Sequence, residues 1–254
     1  MKTIKALFFD IDGTLIPFGE NTIDQKIIDA INEVKKKGYK VGIATSRPMT
    51  LIKAAKNIFD VEWDAFVAGS GTKLFDQDLN LYKDHSLDLN LQKELFKIAS
   101  DHNIAVYTCG EESYFTEMNE YAKWLKETYH VDSNTVHPFD GNSIQLLTLL
   151  GPNQDEIKDL YKSYKEIRFV VGGKYNLDIF PINHNKKNGI HEFMKAWGFN
   201  PQDYMSFGDT QGDHEMLIDA NVGIAMPNAT EDTKEVADYV CQDIPEVLKK
   251  YNVL

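Results

Sequence analysis

An α/β fold, a doubly wound parallel sheet carrying a second, inserted α/β piece, is what these 254 residues predict, on three observations. Short apolar runs end in carboxylates, hydroxyls or glycine. Amphipathic helical stripes separate those runs. The alternation breaks after Gly71 and resumes at Lys187. Strands that are apolar on both faces and spaced by helices belong to parallel sheets covered on each side.

Lys5 to Asp12 (KALFFDID) reads as a buried strand running into a loop at Gly13. Thr22 with Gln25 makes a capping box for a helix whose stripe is Ile23, Ile27, Ile28, Ile31 and Val34, with Gly38 at the C-cap. Tyr39 to Thr45 repeats the strand pattern. Pro48 then suits a helix start, and Leu51, Ile52, Ala55, Ile58 and Phe59 supply the next stripe. Ala65 to Gly71 (AFVAGSG) closes a third strand.

Beyond Gly71, Thr72 to Phe75 and Leu79 to Asp84 form a β-hairpin around the polar Asp76 to Asp78. A helix over Asp88–Asp101, a strand over Ile104–Cys109, a helix over Glu117–Thr128, a strand over Ser143–Leu150 and a helix over Asp155–Tyr164 follow. Strands over Ile167–Gly172 and Leu177–Phe180 complete this stretch. From Lys187 the first rhythm returns: helix to Trp197, strand Tyr204–Asp209, helix Asp213–Ala220, strand Val222–Ala225, helix Thr230–Ala237 and a last helix from Pro245. The expected division is a core of residues 1–82 and 183–254, with 83–182 inserted.

Composition narrows the class. A net charge of −12 and a pI near 5.0 argue against nucleic acid as a partner, because affinity for a polyphosphate backbone comes from Lys and Arg. No stretch reaches the ~18 apolar residues that would span a bilayer. The basic start, Lys2 and Lys5, precedes an apolar run too short for a signal peptide, so a cytoplasmic chain with no membrane partner is expected. Cys109 and Cys241 show neither disulfide nor zinc spacing. The sequence leaves the oligomeric state open.

Four constellations stand at strand ends. Asp10 and Asp12 flank Ile11, and residues i and i+2 of a strand share a face, so two carboxylates converge where open α/β sheets bind ligands. Such a pair, with backbone oxygens, suits Mg²⁺. Thr45, Ser46 and Arg47 end the second strand just before the Pro48 helix, an arrangement that suits a phosphate; the alternative is a plain helix cap. Lys186 and Lys187 follow the inserted piece, where the alternative is solvated surface charge. Asp209 and Asp213 in FGDTQGDHEM make the second carboxylate-bearing strand end, a candidate metal site. His184, His191 and His214 lack ligand spacing. The stripe Tyr121, Trp124 and Tyr129 reads as helix packing, and Glu111 with Glu112 as a solvated acidic run.

Taken in order, DxDGT at Asp10–Thr14, ATSRP at Ala44–Pro48, the Lys186 loop, GDxxxD at Gly208–Asp213 and MPNA at Met226–Ala229 resemble the haloacid dehalogenase superfamily of phosphatases. Within it the chain resembles the Cof-type group with a type-IIB cap, and the resemblance covers essentially the whole chain. Spacing places the cap: 35 residues separate Asp10 from Thr45, filled by one helix, whereas 141 separate Thr45 from Lys186.

The resemblance implies the roles. Asp10 is the nucleophile that forms an aspartyl phosphate, and Asp12 is the acid that protonates the leaving alcohol and then the base that activates water. Thr45 and Lys186 supply donors and charge to the phosphoryl group, Asn228 lies near the phosphate, and Lys186 is preferred to Lys187 because Gly189 follows it by three. Mg²⁺ is the implied cofactor, held by the Asp10 carboxylate, the Asp12 main-chain carbonyl, Asp209 and Asp213. Gly212 stands where the fourth motif usually has Asn, which removes a hydrogen bond that would orient that loop. The implied partner is a small phosphorylated metabolite, a sugar phosphate or a cofactor phosphate. A mutase-type phosphotransferase and a phospho-aspartate signalling receiver are the rival readings; Asp12 and the insertion disfavour the receiver.

Overall fold

Ala6–Phe9, four buried apolar residues, form β1 at the centre of the larger sheet. The computed structural model describes residues 3–254 except 111, 130, 143 and 145; Lys2, Glu111 and Ser143 of the sequence reading lie outside them. The chain divides into two units, Met1–Asp84 with Asn185–Leu254, and His85–His184.

In the first unit β1 is followed by α1 (Gln25–Lys36), β2 (Lys40–Ala44), α2 (Met49–Lys53), β3 (Ala65–Ala68), β4 (Lys73–Asp76) and β5 (Leu81–Asp84). The inserted unit holds α3 (Leu89–Asp101), β6 (Ala105–Cys109), β7 (Ser113–Phe115), α4 (Glu120–Thr128), β8 (Leu146–Leu150), α5 (Gln154–Leu160), β9 (Ile167–Val171) and β10 (Asn176–Pro181). The first unit resumes with α6 (Lys186–Ala196), β11 (Tyr204–Gly208), α7 (His214–Asp219), β12 (Val222–Ala225), α8 (Glu231–Val236), β13 (Tyr239–Val240) and α9 (Ile244–Lys250). Among the described residues no helix is long and apolar enough to cross a membrane.

The larger sheet runs β13-β12-β11-β1-β2-β3-β4-β5, parallel from β13 to β3 and antiparallel at β4 and β5. Alternation divides its residues between two faces. Leu7, Phe9, Val41, Ile43, Phe66, Met205 and Phe207 pack with Ile28, Ile31 and Val34 of α1 and with Val247 and Leu248 of α9. Ala6, Phe8, Val67 and Tyr204 pack with Ile190, Phe193 and Met194 of α6 and Met216 of α7. Burial on both faces explains why these strands read as unbroken apolar runs, and the sheet is doubly wound as expected.

Two helices differ from the sequence reading. The N-cap of α1 is Asp24, whose carboxylate accepts from the Lys26 N–H, so the helix begins after the expected Thr22 box. The second stripe does not make one helix: α2 ends at Lys53 and a 3-10 turn covers Ile58–Asp60. Asn57 lies between them, and its amide accepts from the Ile23 N–H at 2.8 Å and donates to the Ile23 carbonyl at 2.8 Å. Two bonds to a distant backbone outweigh local helix propensity here.

The inserted unit is an antiparallel sheet in the order β7-β6-β8-β10-β9. One face packs Val106, Leu147, Leu149, Leu177 and Ile179 on Leu95, Phe96 and Ala99 of α3 and Ile157 of α5. β10 also carries a buried carboxylate, Asp178, which accepts from the Thr148 hydroxyl at 2.6 Å. Tyr121, Trp124 and Tyr175 pack on one another, Trp124 edge-on to Tyr175 at 5.2 Å, which fits the packing reading of that stripe. Cys109 and Cys241 are both buried.

Candidate active site

The carboxyl ends of β1, β2 and β11 meet the N-terminus of α6 within the first unit. Asp10 follows β1 directly, and its N–H donates to the Phe207 carbonyl of the neighbouring strand at 3.0 Å, which fixes its backbone. Asp209 follows β11, and Asp213 ends the 3-10 turn that precedes α7. Asp10, Asp209 and Asp213 are all buried and offer ligand oxygens within 4.8 Å of one another.

Lys186 stands among them. It is 4% exposed, and its Nζ donates to Asp10 Oδ1 at 2.7 Å and to Asp213 Oδ1 at 2.6 Å. Lys187, one residue on, is half-buried and makes neither bond. Asn185 caps α6 by accepting from the Asn188 N–H, so the lysine leaves the first turn with a fixed direction. Gly189 lets that turn lie close to the sheet, since a Cβ there would stand 2.5 Å from Val67 Cγ1 and 2.9 Å from Leu74 Cδ2. The spacing of Lys186 and Gly189 thus has a packing cause.

The other Asp213 oxygen accepts from the N–H groups of Asp209 at 3.0 Å and Thr210 at 3.1 Å. Those bonds orient the loop without a side-chain amide at position 212. Asn228 Nδ2 donates to the Gly13 carbonyl at 3.0 Å and to Asp209 Oδ2 at 3.3 Å, and the Thr14 hydroxyl reaches Asp209 Oδ1 at 3.4 Å. Gly13 itself turns the chain at φ +79°, and a Cβ there would lie 2.2 Å from Asp209 Oδ2.

Asp12 is set apart. Its carboxylate takes two bonds from Arg47, Nε at 2.8 Å and Nη2 at 2.6 Å, and does not join the three clustered carboxylates. Arg47, expected at the phosphate, therefore spends its fork on Asp12. Thr45 is fully buried, and its Oγ1 accepts from the Arg47 N–H at 3.2 Å, which leaves the hydroxyl proton free to donate elsewhere. Ser46 is half-buried beside it. Ser70 escaped the sequence reading. It sits at φ +51°, is 4% exposed, and donates its N–H to the Thr45 carbonyl at 2.8 Å; the GSG run after β3 was its only local signal.

Crowding of like charge sets the electrostatics. Burial, offset by Lys186 and reinforced by Asp213 and Asp12, pushes Asp10 up to about 7. Burial and then Asp10 and Asp213 push Asp209 up to about 8. Burial alone would lower Lys186, but Asp10 and Asp213 hold it above the ordinary lysine range. Three buried carboxylates share one ammonium, so their full ionisation calls for a further cation, and their ligand atoms are all oxygen; the residues present fit a hard divalent cation such as Mg²⁺. None of the three histidines joins them: His191 meets Asp219, His214 Nε2 lies 2.8 Å from Thr233 Oγ1, and His184 stacks on His85.

The sequence matches the haloacid dehalogenase-like hydrolases over residues 7–246. The 5-amino-6-(5-phospho-D-ribitylamino)uracil phosphatase YcsE of Bacillus subtilis is 24% identical over 245 residues, covering 93% of this chain and 89% of that protein. The HAD subclass IIB sugar phosphatase BT4131 superposes with a TM-score of 0.84 at 26% identity, over 98% of this chain and 100% of its own. For phosphatase BT1666 from Bacteroides thetaiotaomicron the TM-score is 0.89 at 22% identity, over 100% and 97%, a likeness of fold.

Proposed function

The chain belongs to the haloacid dehalogenase-like hydrolase family, as a Cof-type phosphatase, and on that premise we propose that it hydrolyses a small phosphorylated metabolite through an aspartyl phosphate on Asp10. The observation that carries this reading is the buried meeting of Asp10, Asp209, Asp213 and Lys186 at the strand ends.

Asp10 Oδ attacks phosphorus while the bond to the leaving alcohol breaks, and Asp12 gives that alcohol its proton. Asp12 then takes a proton from the water that cleaves the acyl phosphate, which restores Asp10 and releases inorganic phosphate. Arg47 holds both Asp12 oxygens, so proton transfer uses one oxygen while the other keeps the guanidinium. Lys186 and the Thr45 hydroxyl meet the equatorial oxygens of the transferring group. Mg²⁺, held by Asp10, Asp209, Asp213 and the Asp12 main-chain carbonyl, would supply further positive charge to the phosphoryl group. Ser46 and Asn228 complete the surroundings of the phosphate.

The inserted unit, residues 83–182 by sequence and His85–His184 by contact, is the proposed type-IIB cap. A sugar phosphate or sugar-alcohol phosphate is the proposed substrate class, in line with the sugar phosphatase and the ribitylaminouracil phosphatase among its relatives. Phosphate release from p-nitrophenyl phosphate and from a panel of such esters, with Mg²⁺ and with EDTA, tests the reading. Turnover that stops in EDTA is expected; no release from any ester in Mg²⁺ refutes it.

A further inference from the structure

Phe18 lies on the turn that follows the DxDGT segment and is 62% exposed, whereas Leu15 and Ile16 just before it are buried. A single exposed aromatic ring is ordinary on a protein surface. Its position is what separates this one. A Cβ built on Gly13 would stand 2.8 Å from Phe18 Cε2 and 2.2 Å from Asp209 Oδ2. The ring edge and that carboxylate oxygen are therefore no more than about 5 Å apart, on the same side of Gly13.

The ring is also held there. The Gly13 N–H donates to the Ile16 carbonyl at 2.8 Å, and the Ile16 N–H returns to the Ile11 carbonyl at 2.9 Å, which closes the loop after β1. The Glu20 N–H then donates to the Pro17 carbonyl at 3.0 Å, with Gly19 at φ +84°, so Phe18 occupies the first central position of a tight turn. Asn228 ties the Gly13 carbonyl to Asp209, so the peptide under the ring is bonded to the carboxylate cluster. An aromatic side chain on a fixed turn beside the phosphoryl site and open to solvent can contact the organic part of an ester.

We propose that Phe18 is a specificity-determining residue, an apolar wall against which the leaving group of a ring-bearing phosphate ester packs. This rests on the phosphatase reading and adds to it a preference for leaving groups with a flat or apolar face. Phosphoryl donors too small to reach the ring gain nothing from it.

The test compares wild type, Phe18→Ala and Phe18→Tyr on p-nitrophenyl phosphate, 2-naphthyl phosphate and acetyl phosphate. An aromatic contact of ordinary strength corresponds to a factor of about 3 to 10. In Phe18→Ala the KM for each aryl ester, relative to that for acetyl phosphate, is expected to rise by about that factor. The corresponding kcat ratios stay within about two-fold, and Phe18→Tyr restores the KM ratio. An unchanged ratio overturns the proposal. So does an equal loss on all three donors with weaker inhibition by inorganic phosphate, which marks Phe18 as a support for the turn. Wild-type protein inert toward all three donors but active on a sugar phosphate overturns this inference alone; inertness toward the sugar phosphates as well removes the phosphatase reading, and this inference with it.

Discussion

Replacing Asp209 by Asn is expected to stabilise the metal-free protein while removing its response to Mg²⁺. The sign follows from the folded-state shift. Asp209 titrates at about 8 in the fold against 3.8 for an ordinary aspartate. A carboxyl whose folded value is raised opposes folding, with no effect below pH 4, a growing one as pH rises, and its full effect above 8. At pH 7 the cost is about 1.4 × (7 − 3.8), or roughly 4 kcal/mol. Asparagine cannot ionise and keeps one acceptor of the two that Thr14 and Asn228 now use, so about 1 kcal/mol is returned. A net gain of about 3 kcal/mol raises the melting temperature by roughly 5 to 10 °C for a chain of this size. Thermal melts in EDTA between pH 4 and 8 measure it, and the gain should vanish near pH 4. Added Mg²⁺ should raise the wild-type melting temperature and leave the variant unmoved. A variant that melts at or below wild type in EDTA, or that responds equally to Mg²⁺, refutes the reasoning.

Three further outcomes follow from the same geometry. Lys186→Met leaves Asp10 and Asp213 without their shared ammonium, so urea unfolding in EDTA at pH 8 should show a loss of about 3 to 5 kcal/mol, and phosphate release should cease. Gly13→Ala forces a Cβ toward Asp209 Oδ2 at a backbone φ of +79°; calorimetry should find Mg²⁺ bound at least about tenfold more weakly, and wild-type affinity would separate Asp209 from the metal. Asp178 in the inserted unit is pushed up to about 6 by burial, only partly offset by Thr148 and Asn176, so it opposes folding increasingly from pH 4 to 6. Asp178→Asn should remove at most about 1.4 × (6 − 3.8), or 3 kcal/mol, of that cost at pH 7.5 and flatten stability across the window; an unchanged pH dependence would place the cost elsewhere.

The sheet was legible because burial on both faces leaves strands such as Ala6–Phe9 and Val222–Ala225 no polar positions, so a carboxylate at their ends stands out. Asp10, Asp209 and Asp213 were found for that reason and Lys186 through the family resemblance and the Gly three residues on, and the structure brings the four together. What the sequence hid was mostly non-local. Arg47 reaches Asp12 across 35 residues, and nothing near either residue announces the pair. Asn57 interrupts the second helical stripe by bonding Ile23, 34 residues away. Two strands escaped because they are too short to show a period: β7 has three residues and β13 two, and each is defined by its neighbour in the sheet.

The account turns on Asp10 as the nucleophile, and trapping the phosphorylated enzyme addresses it most directly. Acid quench of a single turnover with phosphorus-labelled ester, followed by borohydride reduction and mass spectrometry, converts an aspartyl phosphate to homoserine at its own position. Homoserine at position 10 in the wild type, with Asp10→Asn folded but slowed by at least about 10³-fold, is the expected result. A reduced residue at another position and none at 10, or near wild-type turnover by Asp10→Asn, would contradict the account.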